Sequence, residues 1–148
     1  MLRTKDILDE KDPRVRAKNT DVDFPLNDEY KDIIPEMLKH LRYSQIEKLS
    51  KKYDLRPGMG LAAPQLGINK NFFVVCYEVK DGVFDDYILI NPKVISYSEE
   101  MIYAGEGEGC LSVNREVEGI VPRHARITVE AYDLDGNKRK YRVREDLA

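Results

Sequence analysis

A change of hydrophobic period in the middle of the chain constrains the fold more than any other feature of the sequence. Over residues 27–41 the apolar residues recur at helical spacing. The segment 56–68, RPGMGLAAPQLGI, breaks this pattern with three glycines and two prolines. After it, short runs rich in β-branched and aromatic residues are separated by turn residues, which favours strands. The sequence therefore predicts an α+β fold, with N-terminal helices followed by a mostly antiparallel β-sheet.

The predicted elements follow one another in a simple order. Residues 1–27 are predicted to form an extended arm interrupted by prolines. A first helix is predicted over 27–41, and Pro35 either kinks it or lies near its start. Ser44 and Glu47 have the spacing of a capping box, which predicts the start of a second, short helix. The apolar face of the first helix would contain Ile33, Ile34, Met37, Leu38 and Leu41. Strands are predicted at 72–79, 87–98, 109–113 and 125–132, and Asp135-Gly136 predicts a hairpin to a return strand at 138–144.

The composition excludes several classes of protein. At 148 residues the chain has the length of one domain, and we expect a single domain over 1–148. Its net charge of −3 gives no general attraction to nucleic acid or to an anionic membrane, and the basic run at 138–144 is interpreted as a solvated strand face. The charged N-terminus is no signal peptide, and no window approaches the about 18 apolar residues of a membrane span. Two cysteines without an export signal indicate a reducing compartment, so we expect a cytoplasmic protein.

The last residues predict that the domain is incomplete at its C-terminus. In REDLA, Asp146 is a candidate N-cap followed by two good helix formers, so a helix is expected to begin there. An antiparallel sheet with one apolar face needs an element that packs against it, and the N-terminal helices give too little cover. We therefore expect a core helix to be missing from this chain.

The stretch GEGEGCLSVNRE places Cys110 among three glycines. Taken alone, the residues leave three roles open for Cys110, which are a buried apolar side chain, a nucleophile and a metal ligand. The only histidines are His40, on the first predicted helix, and His124, at the start of a strand, and neither has motif-like spacing to Cys110. Cys76 lies inside the apolar run FFVVCYEV and is interpreted as a core residue.

Two motifs resemble a known family. GMGLAAPQ (58–65) and EGCLS (108–112) resemble the first two signature motifs of the peptide deformylases, which are metal hydrolases that remove the formyl group from the starting methionine of nascent bacterial proteins. The surrounding residues resemble the second class of this family, found mainly in Gram-positive bacteria. The resemblance extends over 1–148. The third signature of the family, H-E-x-x-H on a helix after the last hairpin, is absent from this sequence.

The resemblance implies a role for individual residues. Cys110 would be the thiolate ligand of one tetrahedral divalent metal, physiologically Fe²⁺ and replaceable by Zn²⁺ or Ni²⁺, with two imidazoles of the absent motif and a nucleophilic water. Gln65 would donate its amide to the oxygen of the tetrahedral intermediate, together with the backbone N–H of Leu111. The glycines at 58, 60 and 109 would let the backbone approach metal and substrate. Met59, Gly60 and Gly109 would bind the formylated peptide, with Met59 and Gly60 lining the groove where it lies as an added strand. His124 is no ligand in this family, and a structural role or a role at the edge of the substrate site is expected for it.

The missing motif leaves three interpretations open. The chain is a fragment of a working deformylase and is inactive and metal-free by itself, or it is a short paralogue that binds peptide N-termini or a partner, or its missing ligands come from another chain. We favour the first, because Gln65, Gly109, Cys110 and Leu111 are all intact. The partners expected for the complete protein are N-formylmethionyl nascent peptides near the ribosome, with no nucleic-acid motif and no membrane association.

Overall fold

Two helices and a five-stranded antiparallel sheet form most of the regular structure in the computed structural model, which describes residues 1–148. The helices are α1 (Asp28–Ser44) and α2 (Glu47–Tyr53). The strands are β1 (Gly60–Ala62), β2 (Phe72–Lys80), β3 (Val83–Tyr97), β4 (Met101–Ile102), β5 (Arg123–His124), β6 (Arg126–Tyr132) and β7 (Lys138–Arg144). The main sheet has the order β1-β2-β3-β6-β7, and β4 pairs with β5 separately. The predicted α+β fold is confirmed.

Helix α1 covers one side of the main sheet. Asn27 caps its first turn, since the side-chain oxygen of Asn27 accepts a hydrogen bond from the N–H of Glu29 at 2.8 Å. Pro35 lies inside the helix, which continues without a break to Ser44. The apolar face expected from the sequence forms the centre of the core, where Ile34, Met37 and Leu41 have no exposed surface and pack with Val74, Cys76 and Ile90 of the sheet.

The capping box predicted at Ser44 and Glu47 is wrong. Ser44 is the last residue of α1 and is buried, and its hydroxyl donates to the carbonyl of Leu41 at 2.7 Å. Helix α2 begins at Glu47 as expected, but Ile46 occupies the cap position and offers no side-chain acceptor. The hydroxyl of Ser44 is instead used by the backbone of Gly58, whose N–H donates to it at 3.1 Å.

The strand predicted over 109–113 is also wrong. This segment is irregular and contains a turn in which the N–H of Val113 donates to the carbonyl of Cys110 at 3.0 Å. The carbonyls of Cys110 and Val113 accept from the side chain of Arg56, and the carbonyl of Ser112 accepts from the N–H of Glu10, so these acceptors are not used in a ladder with a neighbouring strand.

Residues 1–27 form the extended arm expected from the sequence, with two short 3-10 turns at Thr4–Asp6 and Pro13–Arg16. The arm lies against the body of the protein and buries Val22 and Leu26 in its core. Further along the arm, the N–H of Leu8 donates to the carbonyl of Gln65 at 2.8 Å, and the N–H of Glu10 donates to the carbonyl of Ser112 at 2.8 Å. The arm therefore joins two segments that are distant in sequence.

Strands β6 and β7 form the predicted hairpin. The carboxylate of Asp133 accepts hydrogen bonds from the N–H groups of Asp135 and Asn137, and Gly136 takes a φ of 81°, which favours glycine. The basic side chains of β7 are exposed to solvent, and Lys138 pairs with Glu130 while Arg139 pairs with Asp133. The interpretation of 138–144 as a solvated strand face agrees with this arrangement.

The side of the sheet opposite α1 carries an apolar groove of about 360 Å³. The groove is lined mostly by half-buried aliphatic and aromatic side chains of β2, β3, β6 and β7, among them Phe73, Tyr87, Leu89, Ile127, Val129, Tyr141 and Val143. The helix expected to begin at Asp146 is not formed; residues Glu145–Leu147 make one 3-10 turn, and Leu147 and Ala148 lie at the edge of the groove. No helix has the length and apolar character required to cross a bilayer.

Candidate active site

A second, more polar pocket of about 710 Å³ collects the residues singled out in the sequence. Its walls come from β1, the turn after β1, the loop between β4 and β5, and the last residues of the chain. The site residues expected from the sequence that line this pocket are Met59, Gly60, Gln65, Gly109, Cys110 and Leu111. All of the predicted site residues of this chain therefore border one space, although about 50 positions separate the two motifs.

Gln65 lies in the 3-10 turn Ala63–Leu66 directly after β1. Its Oε1 accepts a hydrogen bond from the N–H of Ala62 at 2.9 Å, and because a backbone N–H is only a donor, this contact fixes which end of the amide is oxygen. The Nε2 group then faces the second motif, at 3.1 Å from the hydroxyl oxygen of Ser112 and 3.9 Å from the sulfur of Cys110. The amide of Gln65 is thus held with its donors directed at Cys110.

Cys110 and Leu111 present two different groups to the pocket. The thiol of Cys110 is exposed. The backbone N–H of Leu111 donates to no acceptor in the protein, so it remains available to an oxygen atom in the pocket. The side chain of Leu111 packs over Gly58, where an added Cβ would lie 3.0 Å from Cδ1 of Leu111. Gly58 therefore permits the close contact between the two motifs.

The other glycines of the site have more space. An added Cβ at Gly60 would lie 3.8 Å from the carbonyl oxygen of Val74, and at Gly109 it would meet nothing within 4 Å. The segment before β1 is anchored by Met59, whose carbonyl accepts a hydrogen bond from the N–H of Cys76 at 2.8 Å. The side chain of Met59 remains 36% exposed beside the pocket. Only Gly58 of these glycines is thus required by a close approach.

Both histidines contact backbone carbonyl oxygens away from the pocket, which indicates a structural role. His40 is buried in α1, and its Nδ1 lies 2.9 Å from the carbonyl oxygen of Leu2. The Nδ1 of His124 lies 2.8 Å from the carbonyl oxygen of Ser98, and its ring packs on Tyr97 with ring centres 4.3 Å apart. Neither lines the pocket. No group of three or more His, Cys, Asp and Glu side chains has an arrangement that could hold a metal ion. The exposed thiol of Cys110 fits one ligand position, but residues 1–148 do not supply a complete set.

The two cysteines differ in their environment. Cys76 is fully buried in β2, and burial, reinforced by the carboxylate of Asp86, raises the pKa of its thiol from 9.0 to about 11. A buried, protonated thiol is inert as a ligand or nucleophile. The interpretation of Cys76 as a core residue is confirmed, and Cys110 is the only thiol that the pocket can use.

Two polar residues at the site were missed in the sequence. Ser112 is buried and accepts a hydrogen bond from Nε2 of Gln65, and its position two residues after Cys110 in the same motif was a usable signal. Arg56 donates to the carbonyl oxygens of Cys110 and Val113. It had no such signal, because an arginine before a Gly/Pro-rich loop is ordinary in a solvent-exposed segment.

The sequence profile of the polypeptide deformylase family matches residues 4–148. The chain belongs to this family. It is 48% identical over 146 residues to the peptide deformylase of Macrococcus caseolyticus, covering 98% of this chain and 79% of that protein. It is 44% identical over 144 residues to peptide deformylase 2 of Bacillus anthracis, covering 97% and 78%. A crystal structure of a peptide deformylase from Legionella pneumophila superposes with a TM-score of 0.77 at 26% identity, covering 100% of this chain and 75% of that one. These matches confirm the family, the α+β fold and the hydrolase class expected from the two motifs.

Proposed function

We propose that this chain forms the body of a peptide deformylase, a cytoplasmic metal hydrolase that removes the N-formyl group from the N-terminal methionine of nascent polypeptides. The observation that carries the proposal is the convergence of three groups on one pocket: the amide of Gln65, the thiol of Cys110 and the unpaired N–H of Leu111. An inert structural cysteine would need neither the amide of Gln65 nor the N–H of Leu111 beside it. The family to which the chain belongs supports the same activity.

Gln65 and Leu111 are suited to stabilise negative charge on the formyl oxygen. Both are N–H donors whose direction is fixed before substrate arrives, one by the contact of Gln65 with Ala62 and Ser112 and the other by the turn that begins at Cys110. Donors fixed in this way strengthen their interaction as charge develops on the oxygen, which lowers the barrier. We assign these two residues to the oxyanion site.

Cys110 is proposed to hold one divalent metal ion, physiologically Fe²⁺ and replaceable by Zn²⁺ or Ni²⁺. When bound, such an ion acts as a Lewis acid and activates water for attack on the formyl carbon. A catalytic site of this kind takes about three protein ligands, and residues 1–148 offer one. The other two, expected to be imidazoles, therefore have to come from groups outside residues 1–148. The apolar groove beside the site is the surface on which we place the helix that bears them.

The formylated peptide is proposed to lie along β1. This strand is at the edge of the main sheet, paired only with β2, so its other edge can accept a further strand. Gly60 of this strand lines the pocket and has no side chain that would block an approaching backbone. Met59 offers an exposed apolar side chain next to it. Backbone hydrogen bonds would position any peptide sequence, which suits an enzyme that processes many nascent chains.

The experiment that tests the function adds a helix that carries the two expected imidazoles. We define the completed protein as residues 1–148 joined after Ala148 to a helix that carries H-E-x-x-H. We expect it to bind one metal ion and to release formate from a formyl-Met peptide, and we expect Cys110→Ala to lose both properties. Cys76→Ala is the matched control, because this buried thiol does not reach the pocket, and it should retain both. A completed, folded and metal-loaded protein that releases no formate would overturn the proposal.

A non-catalytic peptide-binding protein is the second candidate. The observation in its favour is the absence of a three-ligand group within residues 1–148. This candidate predicts that the 148-residue chain by itself binds a formyl-Met peptide, and that Cys110→Ala leaves the affinity unchanged. Isothermal titration of the two proteins with the same peptide distinguishes it from the hydrolase.

A further inference from the structure

Arg56 connects the two motifs of the site through its side chain. It lies two residues before Gly58, and its guanidinium donates to the carbonyl oxygen of Cys110, to the carbonyl oxygen of Val113 at 3.0 Å and to Oδ1 of Asn114 at 3.0 Å. All three acceptors belong to the turn that carries Cys110. A planar guanidinium with five N–H donors is suited to reach several acceptors in this way, whereas an ammonium group is a single point.

The carbonyl of Cys110 is held from two directions. It accepts the N–H of Val113 at 3.0 Å within the turn, and it accepts the guanidinium of Arg56 from outside. A carbonyl oxygen has two lone pairs, so both bonds are satisfied at once. This double contact restricts rotation of the peptide unit between Cys110 and Leu111.

That peptide unit also contains the N–H of Leu111. The atoms of a trans peptide lie in one plane, and its C=O and N–H point in opposite directions. Fixing the carbonyl of Cys110 therefore fixes the direction of the Leu111 N–H, which is the donor without a protein partner. Arg56 borders the same pocket, and through the carbonyl of Cys110 it controls the orientation of the Leu111 N–H.

The turn is braced further by the N-terminal arm. Nδ2 of Asn114 donates to Oδ2 of Asp9 at 2.8 Å, and the N–H of Glu10 donates to the carbonyl of Ser112. Arg115 pairs with the carboxylate of Glu10 at 2.8 Å but makes no contact with the carbonyl of Cys110. Arg115 therefore provides a neighbouring arginine whose ion pair does not involve the carbonyl of Cys110.

We propose that Arg56 is a positioning residue that sets the plane of the Cys110–Leu111 peptide and thereby aims the Leu111 N–H into the pocket. The functional meaning of this orientation rests on the proposed deformylase activity. The orientation itself does not, so it can be tested on the 148-residue chain without metal or substrate.

The test measures amide hydrogen exchange and ¹⁵N–¹H shifts in wild type, Arg56→Met, Arg56→Lys and Arg115→Met. In Arg56→Met we expect the Val113 amide to exchange about tenfold faster and the Leu111 amide resonance to move, because one bond that closes the turn is lost. In Arg56→Lys the Val113 exchange rate and the Leu111 shift should lie between those of wild type and Arg56→Met, since one ammonium group replaces only part of the hydrogen bonds of the guanidinium. Arg115→Met should leave both amides as in wild type.

The amides of β2 and the alkylation of buried Cys76 report whether the fold is intact in each variant. If Arg56→Met is unfolded, Arg56→Lys decides the question. Unchanged Val113 exchange and an unmoved Leu111 resonance in a folded Arg56 variant would overturn the proposal, and so would an equal effect of Arg115→Met. A failed formate assay with normal turn rigidity would instead count against the function alone.

Discussion

The side-chain nitrogen of Gln65 lies 3.9 Å from the sulfur of Cys110, although 45 positions separate the two residues. The short turn after β1 brings Gln65 to this position, and the irregular segment after β4 brings Cys110. Ser112 completes the arrangement by accepting from the same nitrogen at 3.1 Å. Two groups of different chemistry, an oriented amide and an exposed thiol, are thus held side by side.

Removal of the Gln65 amide should affect turnover more than substrate binding. In the completed protein we expect Gln65→Ala to lower kcat by about 10²–10³, as for the loss of one oxyanion donor, with a small change in KM. Ser112→Ala should lower kcat by about tenfold, because it removes one of the two contacts that orient the amide and leaves the amide itself in place. Ser50→Ala, whose hydroxyl bonds only within α2, serves as the control. Equal effects of Gln65→Ala and Ser50→Ala would refute the role of Gln65.

The contact of Leu111 with Gly58 predicts a stability difference between two alanine substitutions. Gly58→Ala places a Cβ 3.0 Å from Leu111, so the side chain of Leu111 has to move and we expect a loss of about 1 kcal/mol in the free energy of unfolding. Gly109→Ala meets nothing within 4 Å and should lie within about 0.5 kcal/mol of wild type. Both changes reduce the freedom of the unfolded chain alike, so urea denaturation of the pair isolates the contact. Identical midpoints would show that the close packing is absent.

The two thiols should react differently with iodoacetamide. In the native chain we expect one alkylation per molecule, at Cys110, because Cys76 is buried and protonated. In denaturant both should react, and the native Cys110→Ser variant should remain unmodified. Intact-mass measurement with peptide mapping counts the labels. Rapid native labelling of Cys76 would contradict the placement of β2 in the core.

The buried thiol also predicts a dependence of stability on pH. The pKa of Cys76 is raised from 9.0 to about 11 on folding, so below pH 9 both folded and unfolded chains keep the proton. Between pH 9 and about 11 the thiol of Cys76 is deprotonated in the unfolded chain but still protonated in the folded chain. The free energy of unfolding should therefore fall by about 2 kcal/mol over this window. Cys76→Ala should show a shallower decline over the same range in urea titrations. Parallel curves for the two proteins would exclude a contribution of this thiol.

The apolar groove predicts self-association of the 148-residue chain. Exposed apolar surface of this kind binds hydrophobic dyes and promotes aggregation, so we expect wild type to bind ANS and to scatter light as its concentration rises. Val143→Lys places a charge in the groove and should reduce both signals. Arg142→Lys, on the opposite face of β7, should change neither. A wild-type chain that remains a stable monomer with two-state unfolding and no dye binding would contradict the need for further cover.

The sequence predicted those parts of the molecule whose conformation is determined locally. The apolar spacing of α1 and the β-branched runs of β2, β3 and β6 each specify their own element, and Asp135-Gly136 specifies the hairpin. The motifs were enough to place Gln65, Cys110 and Leu111 at one site. Their assigned roles remain predictions until the completed protein is measured.

The segment 109–113 could not be predicted in the same way. Its residues have the composition of a strand, but its backbone bonds to Arg56, 54 positions earlier, and to Glu10 on the arm. The capping box predicted at Ser44 was wrong for a related reason, because the hydroxyl of Ser44 accepts the N–H of Gly58 and does not cap the helix that follows it. In both cases a distant partner overrides the local pattern, and one sequence contains no sign of that partner.

The N-terminal arm has a consequence for how the protein is made. Residues such as Asp9 leave the ribosome among the first, yet Asn114, the hydrogen-bond partner of Asp9, is 105 positions further along. The contacts of the arm with Ser112 and Asn114 cannot form until translation has passed residue 114, so the helices and the first strands are synthesised well before these contacts close the pocket. Residues that are synthesised first, such as Asp9, therefore form these contacts among the last.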